Sequence, residues 1–202
     1  MEAAASTTRT LPGEKAARIV DAMRSSVAQR GVAGSTFDVV AKEAGVSRGL
    51  LHYYFGSKEE LLAEVVRRDC DLRMDVLDAQ LADARTPEDF LSLLVVSLEQ
   101  IVHDDPDFIT GLFELFVLSR RNDEIAAEFT ELVRRTRKHV AALLASKQEQ
   151  GVLKLAADPE AVADVLFSLA DGVAMRMLAE PERDWAPTIA AGVAAARHLL
   201  TA

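Results

Sequence analysis

Residues 35–61 read STFDVVAKEAGVSRGLLHYYFGSKEEL, and this stretch predicts two short helices joined by a tight turn. The first helix has its apolar residues at the i, i+3, i+4, i+7 spacing of one helix face, at Phe37, Val40, Ala41 and Ala44. Gly45 then stands where the chain reverses, because glycine readily takes the left-handed conformation that ends a helix. In the second helix, Leu51 and Phe55 are four residues apart and bury one face. The pattern is typical of a helix-turn-helix.

The other face of the second helix has an unusual composition for a surface in water. It presents an arginine, a leucine and aromatic side chains on a helix too short to be stable alone. Such a face suits the DNA major groove, where Arg48 can pair with guanine O6 and N7 and Leu50 can touch a thymine methyl group. The tyrosine and the histidine on this face can donate hydrogen bonds to phosphates, as can Thr36 and Lys58 at its flanks. The predicted DNA-binding residues are Thr36, Ser47, Arg48, Gly49, Leu50, His52, Tyr53, Tyr54 and Lys58.

This stretch resembles the DNA-binding signature of the TetR family of transcriptional regulators, and the similarity extends over about residues 14–65. Leu50 and His52 stand where threonine and tyrosine are frequent in the family, at positions that face DNA, so they are expected to affect which operator is read. The resemblance implies a homodimer that binds a near-palindromic, double-stranded operator, with half-site centres about 34–36 Å apart or a multiple of that distance. The apolar central helices and the long fourth helix lead us to expect a repressor that a small-molecule effector releases from DNA, with an activator as the alternative that the sequence leaves open.

Elsewhere the periodicity predicts helices and no long strand, so the expected fold class is all-α with about nine helices. The predicted helices span residues 14–30, 35–44, 47–54, 58–84, 87–103, 106–120, 123–149, 159–179 and 185–200. Three of them begin with a capping side chain followed by proline, at Thr86–Pro87, Asp105–Pro106 and Asp158–Pro159. The expected domains are a mobile N-terminus (1–12), a helix-turn-helix DNA-binding domain (13–73, motif 36–55) and a ligand-binding and dimerisation domain (74–202). The fourth helix is expected to link the last two.

Two central helices, Phe90–Val102 and Phe108–Leu118, are apolar nearly all round, a composition typical of a protein interior. They either form a filled core or line a cavity for a small apolar or amphipathic ligand. Under the second interpretation, the ligand-binding residues are Phe90, Phe108, Phe113, Phe116 and Phe167. Glu114 would then select a cationic ligand, or else it faces water.

The family resemblance implies that the last two helices pair across a two-fold axis as a four-helix bundle. Each carries an apolar stripe, and each has a glycine in its interior, where glycine costs about 1 kcal/mol against alanine unless it permits close helix contact. Alternatively, both stripes pack only on the protein's own core. The predicted dimer-interface residues are Val162, Val165, Leu166, Leu169, Gly172, Val173, Ile189, Gly192, Val193, Ala196 and Leu200.

Composition and charge limit the other possibilities. Half of the 202 residues are apolar and 27 % are charged, as in ordinary soluble globular domains. The formal net charge is −9, yet residues 1–60 carry +1 and residues 61–202 carry −10, so one end can approach a polyanion more readily than the other. The chain starts without the apolar segment of a signal peptide and contains no apolar run near the roughly 18 residues of a membrane span. We therefore expect a cytoplasmic protein without membrane contact.

Several other patterns have simpler explanations than catalysis or metal binding. Gly45–Gly49 matches the G-x-S-x-G motif of hydrolases, but that motif follows a strand, whereas helical residues precede it here. His103–Asp107 resembles a cluster of metal ligands, but a helix end followed by a capped helix start explains it better. Cys70, the single cysteine, is expected to be a packing residue, with redox sensing as the alternative. The basic residues before His139 are expected to face water. No enzyme, metal or cofactor is expected.

The sequence thus predicts a sequence-specific DNA-binding transcriptional regulator. The competing hypothesis is an all-α dimeric module that binds a ligand or another protein and does not bind DNA. The acidic C-terminal part slightly favours the second hypothesis, whereas the outward-facing Arg48, Tyr53 and Tyr54 favour the first.

Overall fold

The computed structural model describes residues 14–202, and this part of the chain is all-α, which confirms the predicted fold class. Its helices are α1 (Glu14–Gly34), α2 (Phe37–Ala44), α3 (Arg48–Phe55), α4 (Lys58–Ala82), α5 (Pro87–Asp104), α6 (Pro106–Ser119), α7 (Asp123–Glu149), α8 (Pro159–Ala179) and α9 (Ala186–Leu200). An isolated parallel β-bridge joins Lys154 to Thr201. The predicted mobile N-terminus, residues 1–12, lies outside the described residues.

Local capping signals set most of the helix starts. Thr86 and Asp89 form a reciprocal capping box at the start of α5, with bonds of 3.2 and 2.9 Å between each side chain and the other residue's N–H. Asp158 caps α8 by accepting the N–H of its second residue at 2.9 Å. Asp105, predicted to cap α6, makes no capping bond with its side chain. Its carboxylate instead lies 2.5 Å from the Arg73 guanidinium of α4, so a non-local ion pair replaces the cap.

The helix that differs most from its predicted bounds is α1. Gly31, where the helix was predicted to end, takes the left-handed conformation with φ +68°, and helical turns resume beyond it as far as Gly34. The Ser35 hydroxyl donates to the Gly31 carbonyl at 2.8 Å and closes this segment. The glycine therefore produces a kink within α1, and the end of the helix lies three residues later.

The described residues form two compact units, the first ending at Val66 and the second beginning at Arg67. The boundary falls within α4, seven residues before the predicted domain limit. The first unit has a core to which all four of its helices contribute a fully buried side chain. These side chains include Ile19, Met23, Val40, Leu51 and Leu61.

The second unit has a separate core formed by α4, α5, α7, α8, α9 and the segment after α7. Its buried members are Leu81, Ala84, Phe90, Leu91, Val140, Ala141, Leu144, Leu153, Val162, Ala163, Ala196 and Leu200. Backbone hydrogen bonds fasten the end of α9 to the segment that follows α7: the Lys154 N–H donates to Leu200 at 2.9 Å, and the Ala202 N–H donates to Lys154 at 2.8 Å. These bonds fix the position of α9 at its C-terminal end.

The two central helices are less buried than their composition predicts. Only Phe90 and Leu91 of α5 are buried, and on α6 Phe116 and Val117 keep 46 % and 49 % of their surface exposed. The prediction that both helices lie in the interior is wrong for a single protomer, because neighbouring helices cover only part of their circumference. No helix in residues 14–202 combines the length and the apolarity needed to cross a membrane.

Candidate nucleic-acid interface

Local hydrogen bonds build the turn between α2 and α3. Thr36 caps α2, its hydroxyl oxygen accepting the Val39 N–H at 3.4 Å. Gly45 ends α2 in the left-handed conformation, with φ +66° and ψ +38°, and its N–H donates back to Lys42 at 3.3 Å. The chain then enters α3 at Arg48. Both helices lie at the predicted places, with a tight glycine turn between them.

The helix α3 buries one face and exposes the other. Leu51 is fully buried and Phe55 nearly so, whereas Tyr53 keeps 62 % of its surface in water. The remaining residues of the predicted outer face are exposed or partly exposed, namely Ser47, Arg48, Gly49, Leu50, His52 and Tyr54. A Cβ added at Gly49 would meet no atom within 4 Å, so packing within the protomer does not require glycine there. The surface is open for close approach of another molecule.

Arg48 is paired with an acidic residue that sequence reasoning missed. One nitrogen of its guanidinium, Nη1, donates to both carboxylate oxygens of Asp38 at 3.2 and 3.0 Å. Asp38 is the second residue of α2 and is exposed on the same surface as the outer face of α3. Its position in the first turn of α2 was visible in the sequence, but its distance to Arg48 was not.

His52 has less freedom to contact phosphates than predicted. Its Nδ1 lies 3.1 Å from the Gly56 carbonyl, which can only accept, so this nitrogen carries the proton. Its Nε2 faces the Nε of Arg48 at 3.5 Å, and its ring packs edge-on against Phe37 with centroids 4.7 Å apart. Both ring nitrogens therefore make protein contacts, and the phosphate-donor role expected of His52 is not supported.

Lys58 makes a contact within the protein that was not predicted. Its ammonium donates to the Val32 carbonyl at 3.1 Å and is partly buried, so it ties the start of α4 to the last turn of α1. The ammonium keeps two further N–H donors, so the phosphate contact of Lys58 stays a prediction.

The five phenylalanines predicted to bind a ligand do not form one cluster. Phe90 is 1 % exposed within the core of the second unit, and Phe167 packs against the same core. Phe108 lies under the Arg73 guanidinium, 4.1 Å from its ring centroid, whereas the exposed Phe116 contacts Phe129. Phe113 is partly buried on α6. Phe90 is thus a packed core residue and Phe116 a surface residue, and neither position fits a residue that lines an enclosed cavity.

The predicted dimer-interface residues divide into two groups. Val162, Ala196 and Leu200 are buried in the core of their own unit, so they are unavailable to a partner and this part of the prediction is wrong. The others are exposed or partly exposed, namely Val165, Leu166, Leu169, Gly172, Val173, Ile189, Gly192 and Val193. Sequence reasoning missed the exposed face of α9, which is rich in alanine at positions 190, 191, 194 and 195.

Of the basic residues before His139, Arg134 and Lys138 are exposed as expected, whereas Arg135 and Arg137 pair with carboxylates of other helices. Arg135 pairs with Asp71 at 2.7 Å, and His139 pairs with Asp78 at 2.8 Å, both on α4. On the same segment of α4, burial and the neighbouring Asp69 raise the pKa of the Cys70 thiol to about 12. A thiol with this pKa stays protonated near neutral pH, which opposes a redox-sensing role. The described residues contain no group of three potential metal ligands.

Comparison with known proteins agrees with this arrangement. The family model described as bacterial regulatory proteins, tetR family, matches residues 19–65, and the model described as BetI-type transcriptional repressor, C-terminal, matches residues 87–202. The HTH-type transcriptional regulator BetI of Agrobacterium fabrum (strain C58) is 34 % identical over 127 residues. That alignment covers 62 % of this chain and 61 % of the relative, about three fifths of its length.

Solved structures share the fold at lower identity. The regulator FadR from Bacillus subtilis in complex with stearoyl-CoA has a TM-score of 0.70 at 18 % identity, covering 88 % of this chain and 95 % of that one. A transcriptional regulator from Saccharomonospora viridis in complex with choline has a TM-score of 0.68 at 23 % identity, covering 91 % of this chain and 93 % of that one. The second family model spans more than half of the chain, and the first spans the helix-turn-helix. The chain therefore belongs to the tetR family of bacterial regulatory proteins, which are DNA-binding transcriptional regulators and not enzymes.

Proposed function

We propose that this regulator is a homodimeric, cytoplasmic repressor that binds a near-palindromic operator through α3 and leaves it when a small molecule binds the second unit. The observation that carries the proposal is the division of α3 into two faces. Leu51 and Phe55 hold the helix on the first unit, while Arg48 and Tyr53 stay in water. A helix held in this way can enter a major groove without losing its own packing.

The contacts to DNA follow from the chemistry of the exposed side chains. Arg48 reads guanine through O6 and N7, and Leu50 touches a thymine methyl group. Tyr53 and Ser47, which are exposed residues, donate to phosphates and fix the register. Gly49 lets the backbone of α3 approach the bases, because no side chain stands between them.

The dimer forms through the exposed faces of α8 and α9. Val165 and Met175, both on α8, keep 45 % and 47 % of their surface in water. The helix therefore exposes large apolar side chains at two places along its length. A Cβ added at Gly172 or Gly192 would meet no atom within 4 Å. Glycine in a helix interior costs about 1 kcal/mol against alanine. Because packing within the protomer does not explain these glycines, we assign them to close contact with the partner's helices.

The effector binds in the second unit and is a small apolar or amphipathic molecule. The half-buried rings of Phe108, Phe113 and Phe167 are the remaining candidates for its contacts. Structures of the same fold hold stearoyl-CoA in one protein and choline in another, so the fold accepts both an acyl chain and a cation. Effector binding favours a conformer in which the two copies of α3 no longer match the groove spacing, with α4 as the connecting helix. An effector that shifts the population from 1:99 to 99:1 needs about 5.5 kcal/mol of differential affinity.

The experiment that tests DNA binding is selection of a duplex from a randomised library by the full-length protein, followed by affinity measurements across a salt series. We expect a near-palindromic sequence, with affinity that falls steeply as salt rises because phosphate contacts release counterions. Arg48→Ala should lower the preference for one base pair by about 1–3 kcal/mol. If this variant keeps every base preference of the unmodified protein, the assignment of Arg48 to a base is wrong.

The competing function is an all-α dimeric module that binds a ligand or a protein and not DNA. It predicts that the selection recovers no common sequence at any salt concentration. Once an operator is known, a library of apolar and amphipathic molecules can be screened for effects on its affinity. A broad screen without any effect would contradict the role of an effector.

A further inference from the structure

The exposed pair of Asp38 and Arg48 has a geometry that restrains the DNA-reading side chain. Asp38 lies in the first turn of α2, and Arg48 begins α3, on the other side of the glycine turn. Both carboxylate oxygens accept from the same nitrogen, Nη1, at 3.0 and 3.2 Å. The two side chains remain 69 % and 58 % exposed, so neither belongs to the core.

A second contact restrains the other side of the guanidinium. Its Nε lies 3.5 Å from Nε2 of His52, and His52 is itself held by the ring of Phe37 and the carbonyl of Gly56. The remaining nitrogen, Nη2, makes no hydrogen bond to the residues that the structure describes. The planar guanidinium of Arg48 is thus held on two sides, and the N–H donors of Nη2 stay available for a base.

The ion pair between Asp38 and Arg48 contributes too little to folding stability to be explained as a stabilising contact. Exposed ion pairs contribute about 0–1 kcal/mol to stability, because water screens the charges and two side chains lose freedom. A carboxylate on a surface that approaches DNA also repels phosphates. Asp38 therefore weakens binding to DNA of any sequence while it adds little to the fold.

We propose that Asp38 is a specificity-determining residue, which positions the Arg48 guanidinium for guanine and lowers affinity for duplexes that lack it. This inference rests on the proposed function, since it requires that α3 reads bases. When guanine is present, the guanidinium binds it with little further loss of side-chain freedom. The repulsion between Asp38 and the phosphates acts on every duplex alike, so it cancels when duplexes are compared, and only the positioning of the guanidinium favours guanine. Specificity, measured as the ratio of the affinities for matched and mismatched duplexes, therefore increases.

The test compares Asp38→Ala with Glu43→Ala in the full-length protein. Glu43 is on the same helix and pairs with Arg30 of α1 at 3.6 Å, so its removal changes the charge equally and leaves α3 untouched. The first probe is the duplex selected by the unmodified protein. The second is the same duplex with one base pair substituted, at the position where Arg48→Ala no longer discriminates between bases. Both single variants should bind the substituted duplex more tightly than the unmodified protein does.

Only Asp38→Ala should lower the specificity ratio, by about 3- to 10-fold, as expected for releasing one flexible side chain. In the Arg48→Ala background the ratio is already lost, so removing Asp38 should raise the affinity for both duplexes equally, whereas a merely structural role of Asp38 would lower both affinities. Equal ratios for the two single variants would overturn the inference, and so would a higher ratio for Asp38→Ala. If the unmodified protein selects no sequence, the proposed function itself fails. A selected operator with an unaltered ratio in Asp38→Ala overturns the role of Asp38 alone.

Discussion

Asp171 shows how one side chain can make stability depend on pH. It lies on α8, and its carboxylate has neither a hydrogen bond nor an ion pair with the described residues. Burial raises the pKa of this carboxyl above its ordinary value of 3.8. The folded protein thus favours the protonated form, and the preference is lost as pH rises through the raised pKa.

We expect Asp171→Asn to be more stable than the unmodified protein near neutral pH, because the amide replaces a partly buried charge that has no partner among the described residues. The gain should be smallest at about pH 4 and should widen as pH rises, until it levels off above the raised pKa. Melting temperatures measured from pH 4 to pH 8 test this. The exposed Asp75, substituted in the same way, is the control. A gain independent of pH would show that Asp171 does not titrate with a raised pKa.

The part of α4 in the second unit is held by long polar side chains of α7. Arg135 and His139 each bind an aspartate of α4. Lys147, which is 6 % exposed, donates to the carbonyls of Ala82 and Ala84 at 3.4 and 3.1 Å, where α4 ends. These carbonyls have no partner within the helix, so the lysine takes the place of a C-terminal cap. No pattern in the sequence predicts a buried lysine at this point of α7.

We expect Lys147→Met to lower the free energy of unfolding by about 1.5–3 kcal/mol, the contribution typical of hydrogen bonds to a charged donor. Methionine keeps the packing of the stem and removes only the donors. Urea unfolding of the full-length chain measures the change. Lys138→Met, an exposed lysine on the same helix, should stay within about 0.5 kcal/mol of the unmodified protein. Equal stabilities for the two variants would mean that the bonds of Lys147 contribute nothing.

The assembly depends on the surface of α8 and α9 that a protomer leaves uncovered. Gly172 offers a direct test, since its surroundings within the protomer are empty. Gly172→Leu should leave the protomer folded and weaken the dimer about 5- to 150-fold, because overpacking of a close contact costs about 1–3 kcal/mol. Operator affinity should fall with it, since both half-sites must be bound together.

Sedimentation equilibrium over a range of protein concentrations measures this dissociation. Ala142→Leu places the same side chain on an exposed position of α7 and should dimerise as the unmodified protein does. A Gly172→Leu protein that dimerises normally would remove α8 from the interface.

Most helix bounds could be predicted because their signals act over a few residues. Thr86, Asp158 and Gly45 form bonds with backbone groups no more than four positions away. Asp105 is an exception, because an arginine 32 residues earlier in the chain binds its carboxylate, which then makes no capping bond. A non-local contact of this kind cannot be predicted from neighbouring residues. The two faces of α3 were predictable for the same reason, as helix periodicity alone separates Leu51 from Tyr53.

The candidate site was predicted less completely, because its electrostatics join separate elements. Nothing along the chain says that Asp38 faces Arg48, or that the ammonium of Lys58 reaches the end of α1. Each of these contacts depends on how two helices are oriented, and the orientation comes from the packing of the whole first unit.

Local sequence was sufficient for the all-α fold, the helix-turn-helix and the family. Contacts between distant parts of the chain determined which apolar residues are covered: Phe90 is buried, Phe116 is half in water, and Val162 lies in the core while Val165 is exposed on the same helix. The physical reason is that hydrogen bonds within a helix form between near neighbours, whereas burial requires neighbours brought together by folding. A residue's type and its position in the periodic pattern indicate that it can be buried. Which residues cover it depends on the tertiary structure.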